Sequence, residues 1–425
     1  MDVLEIKPLE LAPDARLTMP GSKSYTQRAL IAAALAEGIS TLKGALLSDD
    51  TVHLMEALAS LGVRILVREE GIIVYGGGGR ITRPTGEIRL GNNGTAMRFL
   101  VGIVSLGSGR YVLTGDRRLC ERPIGSLVDA LRDLGIEANT KGQSGFPPVV
   151  VQANGFPGGK VVLRNIESSQ FLSSLLMCGP YGHNDLVIEL EGDIPSLPYV
   201  EMTLEVMKKY GVEVVHDGLR RFVVKGGQIY HARQYVIEGD ASSASYFFLI
   251  VALCGGRVRI DNIPPRTLQG DIGILNIMEM LGCTVARGDE WVSLSGAPLL
   301  PGPLRLDLKD MPDMVPNVAV LAAVRSGQTV IENVQHLRMK ESDRLAALAA
   351  ELRKTGIHVT ESRDGLTIEG GKPHAAEIET YDDHRIAMSF AALGLAVPGM
   401  KIINPGCVNK SFPAYWEELE GLRGR

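Results

Sequence analysis

Cationic and hydroxyl side chains stand where an apolar helix is predicted to begin. The segment MPGSKSYTQRAL, Met19–Leu30, joins Lys23, Ser24 and Arg28 to an alanine-rich run that continues to residue 38. Free backbone N–H groups and the positive dipole end of a helix attract an anion, and lysine or arginine strengthens that attraction. N-capping would explain the serines but not Lys23, because lysine is a poor N-cap whose charge opposes the dipole. The segment therefore predicts an anion-binding site.

Two nucleotide-binding motifs can be excluded at these positions. A phosphate loop with the lysine at position 23 would need glycines where Ser22 and Leu17 stand. The segment GNNGT, Gly91–Thr95, lacks the G-x-G-x-x-G spacing of a dinucleotide-binding turn. Neither a kinase or ATPase site nor a Rossmann site is predicted.

Further charged residues occur at the starts of other apolar segments. Arg98 begins one of them, and Asp383, His384 and Arg385 begin another. For any single segment, ordinary helix capping is the alternative explanation for the serine and aspartate residues. Several such starts facing one cleft would bind a ligand with several negative charges.

A second cationic cluster lies in HLRMKESDRLAAL, His336–Leu348. Lys340 and Arg344 are four residues apart, so a helix would place them on one face with Glu341 beside them. A solvated salt-bridge ladder is the alternative. Arg122, in CERPIGSL, is predicted to begin another helix just ahead of a proline.

The pattern of a short strand, a polar loop and an apolar helix recurs six times, at intervals of about 72 residues. The copies begin at Leu17, Leu90, Leu163, Ile237, Leu306 and Ile378. A second amphipathic segment that ends near a glycine, followed by two short strand-like runs, completes all but the last copy. Each repeat is therefore predicted to be a β-α-β-α-β-β unit, and the chain to have an α/β fold.

The sixth repeat ends without its closing strands, and the strand-like N-terminus MDVLEIKPLEL is predicted to complete it. Two domains of three repeats follow, one formed by residues 1–20 plus 237–425 and the other by residues 21–236. Because small ligands usually bind in clefts between domains, the active site is expected in the interdomain cleft.

Composition narrows the function further. The chain has 425 residues and a net charge of −5, without a lysine- or arginine-rich run, so nucleic acid is not an expected partner. The five cysteines form no CxxC pair, which disfavours a disulfide framework and a zinc cluster and fits a reducing cytosol. No signal peptide or membrane span is predicted, so the expected location is cytoplasmic.

Seven segments together resemble the signature segments of the 5-enolpyruvylshikimate-3-phosphate synthase family. They are GSKSYTQRAL, LGNNGTAMRFL, ERPIGSL, SSQFLSSLL, EGDASSASYF, LRMKESDRLAAL and TYDDHRIAMSFAA. They occur in the family's order, and the match extends from residue 21 to Lys410. The resemblance implies a monomer with a two-domain inside-out α/β barrel, three repeats per domain. It also implies transfer of the enolpyruvyl group of phosphoenolpyruvate to the 5-hydroxyl of shikimate 3-phosphate, with release of phosphate and without a metal or organic cofactor.

The resemblance also implies site residues. Those that match the shikimate 3-phosphate side are Lys23, Ser24, Arg28, Ser168, Ser169, Gln170, Ser196, Asp313 and Lys340. Those that match the phosphoenolpyruvate side are Lys23, Gly94, Arg122, Gln170, Arg344, Arg385 and Lys410. Asp313 and Glu341 match the two catalytic carboxylates. We expect Asp313 to act as the base and Glu341 as the acid in the addition, with Lys23 assisting at the phosphate or leaving oxygen and the roles reversed in the elimination.

The sequence departs from the family pattern at three positions. Asn93 and Phe99 stand where alanine and proline are expected, next to Gly94. We therefore hypothesise that sensitivity to glyphosate, the family's inhibitor, differs from that of the most sensitive members. His336 stands where many members have an asparagine that contacts the shikimate moiety, and its role is left open.

Two rival functions fit part of the sequence pattern. The sister enzyme, UDP-N-acetylglucosamine enolpyruvyl transferase, has a reactive cysteine a few residues before an Arg-Pro pair, whereas Cys120 is only two residues before Arg122. A non-catalytic protein that binds phosphoglycans or RNA ends is the other rival. The presence of both Asp313 and Glu341 beside the cations disfavours a pure binding protein.

Overall fold

The structure is a computed structural model, which describes residues 2–424 and divides into two compact units. The continuous unit is Gly21–Ile237, and the split unit combines Met1–Pro20 with Glu238–Arg425. The sequence prediction set the second boundary one residue earlier. Ile237 belongs to the continuous unit because its N–H donates to the carbonyl of Lys43, 2.9 Å away, in a strand of that unit.

Helices and strands alternate through the continuous unit. Two strands of the split unit, β1 (Val3–Glu5) and β2 (Asp14–Leu17), precede it. In chain order its elements are α1 (Lys23–Leu35), β3 (Glu37–Lys43), α2 (Asp49–Ser60), β4 (Arg64–Arg68), β5 (Gly71–Gly77), β6 (Ile88–Arg89), α3 (Gly94–Ile103), β7 (Ser108–Thr114), α4 (Arg117–Cys120), α5 (Gly125–Asp133), β8 (Glu137–Thr140), β9 (Val149–Asn154), β10 (Gly159–Arg164), α6 (Ser169–Cys178), β11 (Leu186–Glu191), α7 (Pro198–Lys209), β12 (Val214–Asp217), β13 (Arg221–Val224) and β14 (Gln234–Val236).

The split unit continues the same alternation. Its remaining elements are α8 (Ala241–Cys254), β15 (Arg257–Ile260), α9 (Ile274–Met280), β16 (Thr284–Arg287), β17 (Val292–Ser295), β18 (Leu304–Asp307), α10 (Val315–Val324), β19 (Gly327–Glu332), α11 (Arg344–Lys354), β20 (His358–Glu361), β21 (Leu366–Gly370), β22 (Glu377–Ile378), α12 (His384–Ala396), β23 (Lys401–Ile403) and α13 (Tyr415–Gly421). Short 3-10 turns lie between several of them and carry residues of the candidate site.

One sheet pattern recurs in both units. The continuous unit has sheets of order β14-β3-β5-β4, β6-β7-β9-β8 and β10-β11-β13-β12, and the split unit has β2-β15-β17-β16 and β18-β19-β21-β20. In each of these sheets the first pair of strands is parallel and the other pairs are antiparallel. The sheets therefore repeat one supersecondary unit, as the spacing of the motifs predicts.

Two sheets take their first strand from a distant part of the chain. β2 leads into the first repeat but pairs with β15 of the fourth, and β14 leads into the fourth repeat but pairs with β3 of the first. The sheet of the sixth repeat has the order β1-β23-β22, in which the N-terminal strand pairs antiparallel with β23. The start of the chain thus supplies a closing strand that the sixth repeat lacks.

The first helix of each repeat lies in the interior of its unit. Nearly every residue of α1, α3, α6, α8, α10 and α12 is buried, because these helices are rich in alanine, leucine and other apolar residues. α8, α10 and α12 pack against one another, and α3 packs against α6. The strands alternate buried and more exposed residues, so one face of each sheet covers the helices. Each unit has its own apolar core.

The predicted α/β fold class is confirmed by this arrangement of buried helices and surrounding sheets. Within the described residues, every helix is either too short or too polar to cross a membrane.

Candidate active site

The start of α1 combines a capping serine with a paired lysine. Ser22 is the N-cap, and its hydroxyl accepts from the backbone N–H of Tyr25 at 3.5 Å. Lys23 is the first residue of the helix, and its ammonium lies 3.0 Å from a carboxylate oxygen of Asp50 at the start of α2. Asp50 offsets the unfavourable interaction of the Lys23 charge with the positive end of the helix. The sequence analysis did not identify Asp50.

Arg28 is buried, and the hydrogen bonds of its guanidinium go to neutral oxygens. It donates to the Thr203 hydroxyl at 2.8 Å and to the backbone carbonyls of Ser24 and Tyr199 at 3.0 Å. It also lies 5.3 Å from the ring centre of Phe99. Burial lowers the pKa of Arg28 to about 10. Because these contacts orient the charge without neutralising it, Arg28 favours an anionic ligand.

The side-chain amide of Gln170 is held from both ends. Its oxygen accepts from Arg98 at 2.7 Å, and its nitrogen donates to the Thr95 hydroxyl at 2.9 Å. Arg98 also donates to the carbonyl of Pro123 at 3.2 Å, which ties α3 to the loop before α5. Ser168 is the N-cap of α6, and its hydroxyl accepts from the Gln170 N–H at 3.3 Å. The sequence pattern marks Arg98 only as a charged residue at a helix start, whereas the structure shows that it orients Gln170.

Arg122 lies against the first residue of α3. Asn93 caps this helix by accepting from the N–H of Ala96, and a Cβ added to Gly94 would lie 2.5 Å from Cζ of Arg122. Arg122 is buried, and its Nη1 donates to the carbonyl of Asn92 at 3.4 Å. The glycine is therefore needed for the close approach of the guanidinium.

The prediction that Arg122 begins a helix is wrong. α4 ends at Cys120 and α5 begins at Gly125, so Arg122 lies in the connection between them. Pro123 disfavours helical geometry at the residue before it, which accounts for the break.

Two more predicted residues of the continuous unit occupy helix starts. Ser169 is the buried first residue of α6. Ser196 is buried just before α7 and has a positive φ of 61°, which is uncommon for serine. Its carbonyl accepts from the N–H of Tyr199 at 3.2 Å, so the turn into α7 holds it in this conformation.

In the split unit, the buried side chain of Arg344 joins three carboxylates. Its guanidinium lies 2.7 Å from Asp313, 2.8 Å from Glu341 and 2.8 Å from Asp383. Burial by itself lowers the pKa of Arg344, but these three carboxylates outweigh burial and raise it. Arg344 therefore remains charged and fixes the distance between Asp313 and Glu341.

Asp313 lies in the 3-10 turn Pro312–Met314 and contacts two arginines. Its oxygens accept from Arg344 and from Arg385, each at 2.7 Å. Burial raises the pKa of the Asp313 carboxyl, and Glu341 acts in the same direction. The charges of Arg385, Lys340 and Arg344 outweigh both and hold the pKa well below its ordinary value. Asp313 is therefore ionised.

Lys340 and Glu341 do not lie on the helix that the sequence predicts. The segment forms a 3-10 turn over Gln335–Met339, and α11 begins only at Arg344. The Asp343 side chain accepts from a backbone N–H of the first turn at 3.1 Å and so caps the helix. The alternative of a solvated ladder is also wrong for Arg344, whose side chain is only 1% exposed.

The Arg385 guanidinium contacts polar groups from two other segments, the 3-10 turn that contains Asp313 and the first turns of α8. It lies 2.7 Å from Asp313 and 3.3 Å from the hydroxyls of Ser242 and Tyr246. Asp383, the N-cap of α12, accepts from the Arg385 N–H at 3.0 Å and also binds Arg344. Asp383 thus positions both arginines.

His336 and Lys410 lie in 3-10 turns of the split unit. Burial lowers the pKa of the His336 imidazole to about 3, and the charge of Lys340 acts in the same direction. Lys410 is the buried last residue of the turn Pro405–Lys410.

Among the predicted site residues, the structure thus forms separate contact pairs in the continuous unit and one connected cluster in the split unit. In the continuous unit, Ser24 contacts Arg28 and Gly94 contacts Arg122. In the split unit, Asp313, Glu341, Arg344 and Arg385 form one ion-pair cluster. The sequence pattern does not reveal Asp50, Ser242, Tyr246 or Asp271 as site residues, and it marks Arg98 and Asp383 only as charged residues at helix starts. Contacts with predicted residues are made by Asp50, Arg98, Ser242, Tyr246 and Asp383, and all six residues lie within a few positions of a helix start.

Known proteins are similar to this chain over nearly its whole length. A family model described as EPSP synthase (3-phosphoshikimate 1-carboxyvinyltransferase) matches residues 12–419. A Nostoc punctiforme protein named 3-phosphoshikimate 1-carboxyvinyltransferase is 43% identical over 98% of both chains. An Escherichia coli protein of the same name is 42% identical over 99% of this chain and 98% of its own.

Solved structures point the same way. An EPSP synthase from Acinetobacter baumannii has a TM-score of 0.80 and 28% identity, over 99% of this chain and 97% of that one. The family resemblance of the sequence motifs is confirmed. The chain belongs to the EPSP synthase family.

Proposed function

We propose that this protein transfers the enolpyruvyl group of phosphoenolpyruvate to the 5-hydroxyl of shikimate 3-phosphate and releases phosphate. This is the reaction of a 3-phosphoshikimate 1-carboxyvinyltransferase, the name that the relatives carry. The single observation that best supports it is the pair of carboxylates, Asp313 and Glu341, on the buried guanidinium of Arg344. A pure binding protein for anions would not need two carboxylates beside its cations.

The proposed substrates are both polyanions, and the cations of the two units suit them. We assign Arg28 to the phosphate of shikimate 3-phosphate, because its guanidinium is buried and oriented by neutral acceptors. Lys23 is assigned to both substrates. The other residues assigned to shikimate 3-phosphate are Ser24, Ser168, Ser169, Gln170, Ser196, Asp313 and Lys340.

Arginines dominate the proposed phosphoenolpyruvate side. A planar guanidinium binds carboxylate and phosphate groups through paired hydrogen bonds, which an ammonium cannot form. The residues assigned to this substrate, besides Lys23, are Gly94, Arg122, Gln170, Arg344, Arg385 and Lys410. The site residues of the continuous unit and those of the split unit are proposed to act on the same pair of substrates. The cleft predicted from the sequence stays a prediction.

The proposed chemistry is an addition followed by an elimination. In the addition, the 5-hydroxyl oxygen bonds to C2 of phosphoenolpyruvate as its proton passes to Asp313, and Glu341, which must enter this step as the neutral acid, delivers its proton to C3. In the elimination, C3 returns a proton to Glu341, the bond from C2 to the phosphate oxygen breaks, and Asp313 passes the proton that it took up to the leaving phosphate. Lys23 stabilises the charge on the leaving phosphate.

Substrate binding is proposed to make Asp313 a better base. Its pKa lies well below the ordinary value because Arg385, Lys340 and Arg344 stabilise the ionised form. A carboxylate with so low a pKa accepts a proton poorly. Anions of the substrate that share these arginines would weaken their effect on Asp313 and raise its pKa.

The decisive experiment supplies phosphoenolpyruvate with shikimate 3-phosphate and follows phosphate release. UDP-N-acetylglucosamine serves as the competing acceptor. Release only with shikimate 3-phosphate is expected. Asp313→Asn and Glu341→Gln should lower kcat at least 100-fold, within the usual range for general acid–base residues. Asp307→Asn, an exposed aspartate of the same unit, is the matched control and should leave kcat unchanged. Release with the competing acceptor alone would refute the proposal.

The proposal extends to cellular context. We infer a cytoplasmic monomer that acts on small molecules and does not bind nucleic acid. The net charge of −5 supports the last point, because it disfavours association with a phosphate backbone. All five cysteines are free thiols, which is typical of a reducing compartment.

A further inference from the structure

Asp271 is a buried carboxylate that the proposed mechanism does not use. It lies in the 3-10 turn Gly270–Gly273 before α9 and is 2% exposed. Its Oδ2 accepts a hydrogen bond from the Ser242 hydroxyl, whereas Oδ1 accepts none from the described residues. A buried carboxylate with one neutral partner destabilises a fold, because it loses its hydration without full compensation. Stability therefore does not explain the presence of this side chain.

The surroundings of Asp271 disfavour the ionised form of its carboxyl. Burial raises the pKa of its carboxyl to about 6, and the charges of Asp313 and Asp240 act in the same direction. Arg385 and the hydrogen bond from Ser242 oppose this shift. The carboxylate thus lies close enough to Arg385 and Asp313 to be part of the same charge network.

Ser242 connects Asp271 to Arg385. A hydroxyl has one proton to donate, and in this structure the proton of Ser242 points at Asp271. The lone pairs of the same oxygen are then directed to Nη2 of Arg385, 3.3 Å away. Without a carboxylate on Ser242, its proton could turn toward the guanidinium and repel it. Arg385 would then be held chiefly by Asp313, at 2.7 Å.

We propose that Asp271 is a positioning residue for phosphoenolpyruvate binding, which acts through Ser242 to orient the guanidinium of Arg385. The inference rests on the proposed function, in which Arg385 binds that substrate. The inference predicts that loss of Asp271 raises the KM for phosphoenolpyruvate. Removal of a negative charge near an anion site would by itself strengthen anion binding, whereas loss of the orientation of Arg385 weakens it.

The test compares the KM values for the two substrates in Asp271→Asn, Ser242→Ala and the double variant. Asparagine keeps the shape of the side chain and removes the charge. Each variant should raise KM for phosphoenolpyruvate about tenfold, the effect of one charge-assisted hydrogen bond, and leave KM for shikimate 3-phosphate within about twofold. The double variant should resemble the more severe single variant, because both act through one chain of contacts.

The matched control is Ser245→Ala, a buried serine of the same helix. Its hydroxyl donates to the carbonyl of Ser242 and accepts from Asn317, so its loss perturbs α8 without removing a contact to Arg385. Neither KM value should change. If Asp271→Asn does not fold, Ser242→Ala still tests the inference.

The possible outcomes separate the two proposals. Wild-type protein that transfers no enolpyruvyl group to shikimate 3-phosphate would refute the proposed function and this inference with it. Active wild-type protein with an unchanged or lower KM for phosphoenolpyruvate in Asp271→Asn and Ser242→Ala would refute the inference alone. Equal changes of both KM values would give Asp271 a purely structural role and also overturn it.

Discussion

Replacement of Arg344 by lysine tests whether the arrangement of charges, rather than their sum, maintains the ion-pair cluster. The guanidinium donates four hydrogen bonds to three carboxylates: one to Asp313, one to Glu341 and two to Asp383. Lysine keeps the positive charge but places it at one point at the end of a flexible stem. We expect the ammonium to stay with Asp383, which is fully buried, and to lose Asp313 and Glu341.

The magnitude follows from the lost contacts. Each hydrogen bond to a charged group contributes about 1.5–3 kcal/mol, so two losses remove roughly 3–6 kcal/mol. The side chains of Asp313 and Glu341 are 15% and 10% exposed, so hydrogen bonds to water recover part of the lost interaction energy. We expect a net decrease of about 3 kcal/mol in the free energy of unfolding. For a unit of this size that lowers Tm by roughly 6–12 °C.

The assay combines thermal unfolding with steady-state kinetics. KM for phosphoenolpyruvate should rise about tenfold or more, because Arg344 is assigned to that substrate. Arg325→Lys is the matched control, since Arg325 is also buried in the split unit but donates to the carbonyls of Leu300 and Gly302 and to the Thr329 hydroxyl. Those acceptors are neutral, so a smaller stability loss of about 1–2 kcal/mol and no change in KM are expected. Equal stability losses in the two variants, or an unchanged KM in Arg344→Lys, would refute the reasoning.

Four further predictions concern single side chains. Asp271→Asn should raise the free energy of unfolding by about 2–3 kcal/mol at pH 8 and by nearly nothing at pH 4. The Asp271 carboxyl has a folded pKa of about 6 and an ordinary pKa of 3.8, so its ionisation opposes folding only as the pH rises above 3.8. Urea unfolding at both pH values measures the difference. His336 has a folded pKa of about 3 and an ordinary value of 6.5, so its contribution to stability is lost as the pH falls below 6.5. His336→Asn should therefore lower Tm less on acidification from pH 7 to 4.5 than the wild type does; an equal decrease would contradict this. Gly94→Ala should raise KM for phosphoenolpyruvate about tenfold with little change for shikimate 3-phosphate, because the added Cβ would force the Arg122 guanidinium to move by about 1 Å; equal KM values in variant and wild type would count against it. Cys120→Ser should keep its rate of phosphate release, whereas an inactive variant would favour the UDP-N-acetylglucosamine enzyme.

The repeat architecture could be predicted from the sequence because its signals are local. Apolar helices after polar loops and short strands recur at a nearly constant interval, and the structure has the same elements in that order. The sequence does not reveal that β2 pairs with β15 and β14 with β3, because the apolar pattern of a strand does not identify the strand beside it. The spacing of Lys340 and Arg344 predicts a helix that starts too early, because Asp343 caps α11 and the helix begins only at Arg344.

Site residues could be predicted from the sequence where a charged residue begins an otherwise apolar helix. Lys23 and Arg28 stand out because apolar, buried helices do not normally begin with cations. Asp50 and Asp271 carry no such signal, since an aspartate near a polar turn is typical of a solvent-exposed loop. Only their burial and their partners, Lys23 and Ser242, reveal their roles, and those partners come from other segments of the chain.

The buried arginines of the two units are held in different ways, and the difference suits the proposed reaction. Arg28 is oriented by neutral oxygens, so an incoming phosphate meets a charge that these contacts leave uncompensated. Arg385 and Arg344 already bind Asp313, so an anion must compete with that carboxylate for them. Such competition weakens the interactions that keep the pKa of Asp313 low. Under the proposed mechanism, the arrival of phosphoenolpyruvate would therefore prepare Asp313 to accept the proton of the 5-hydroxyl.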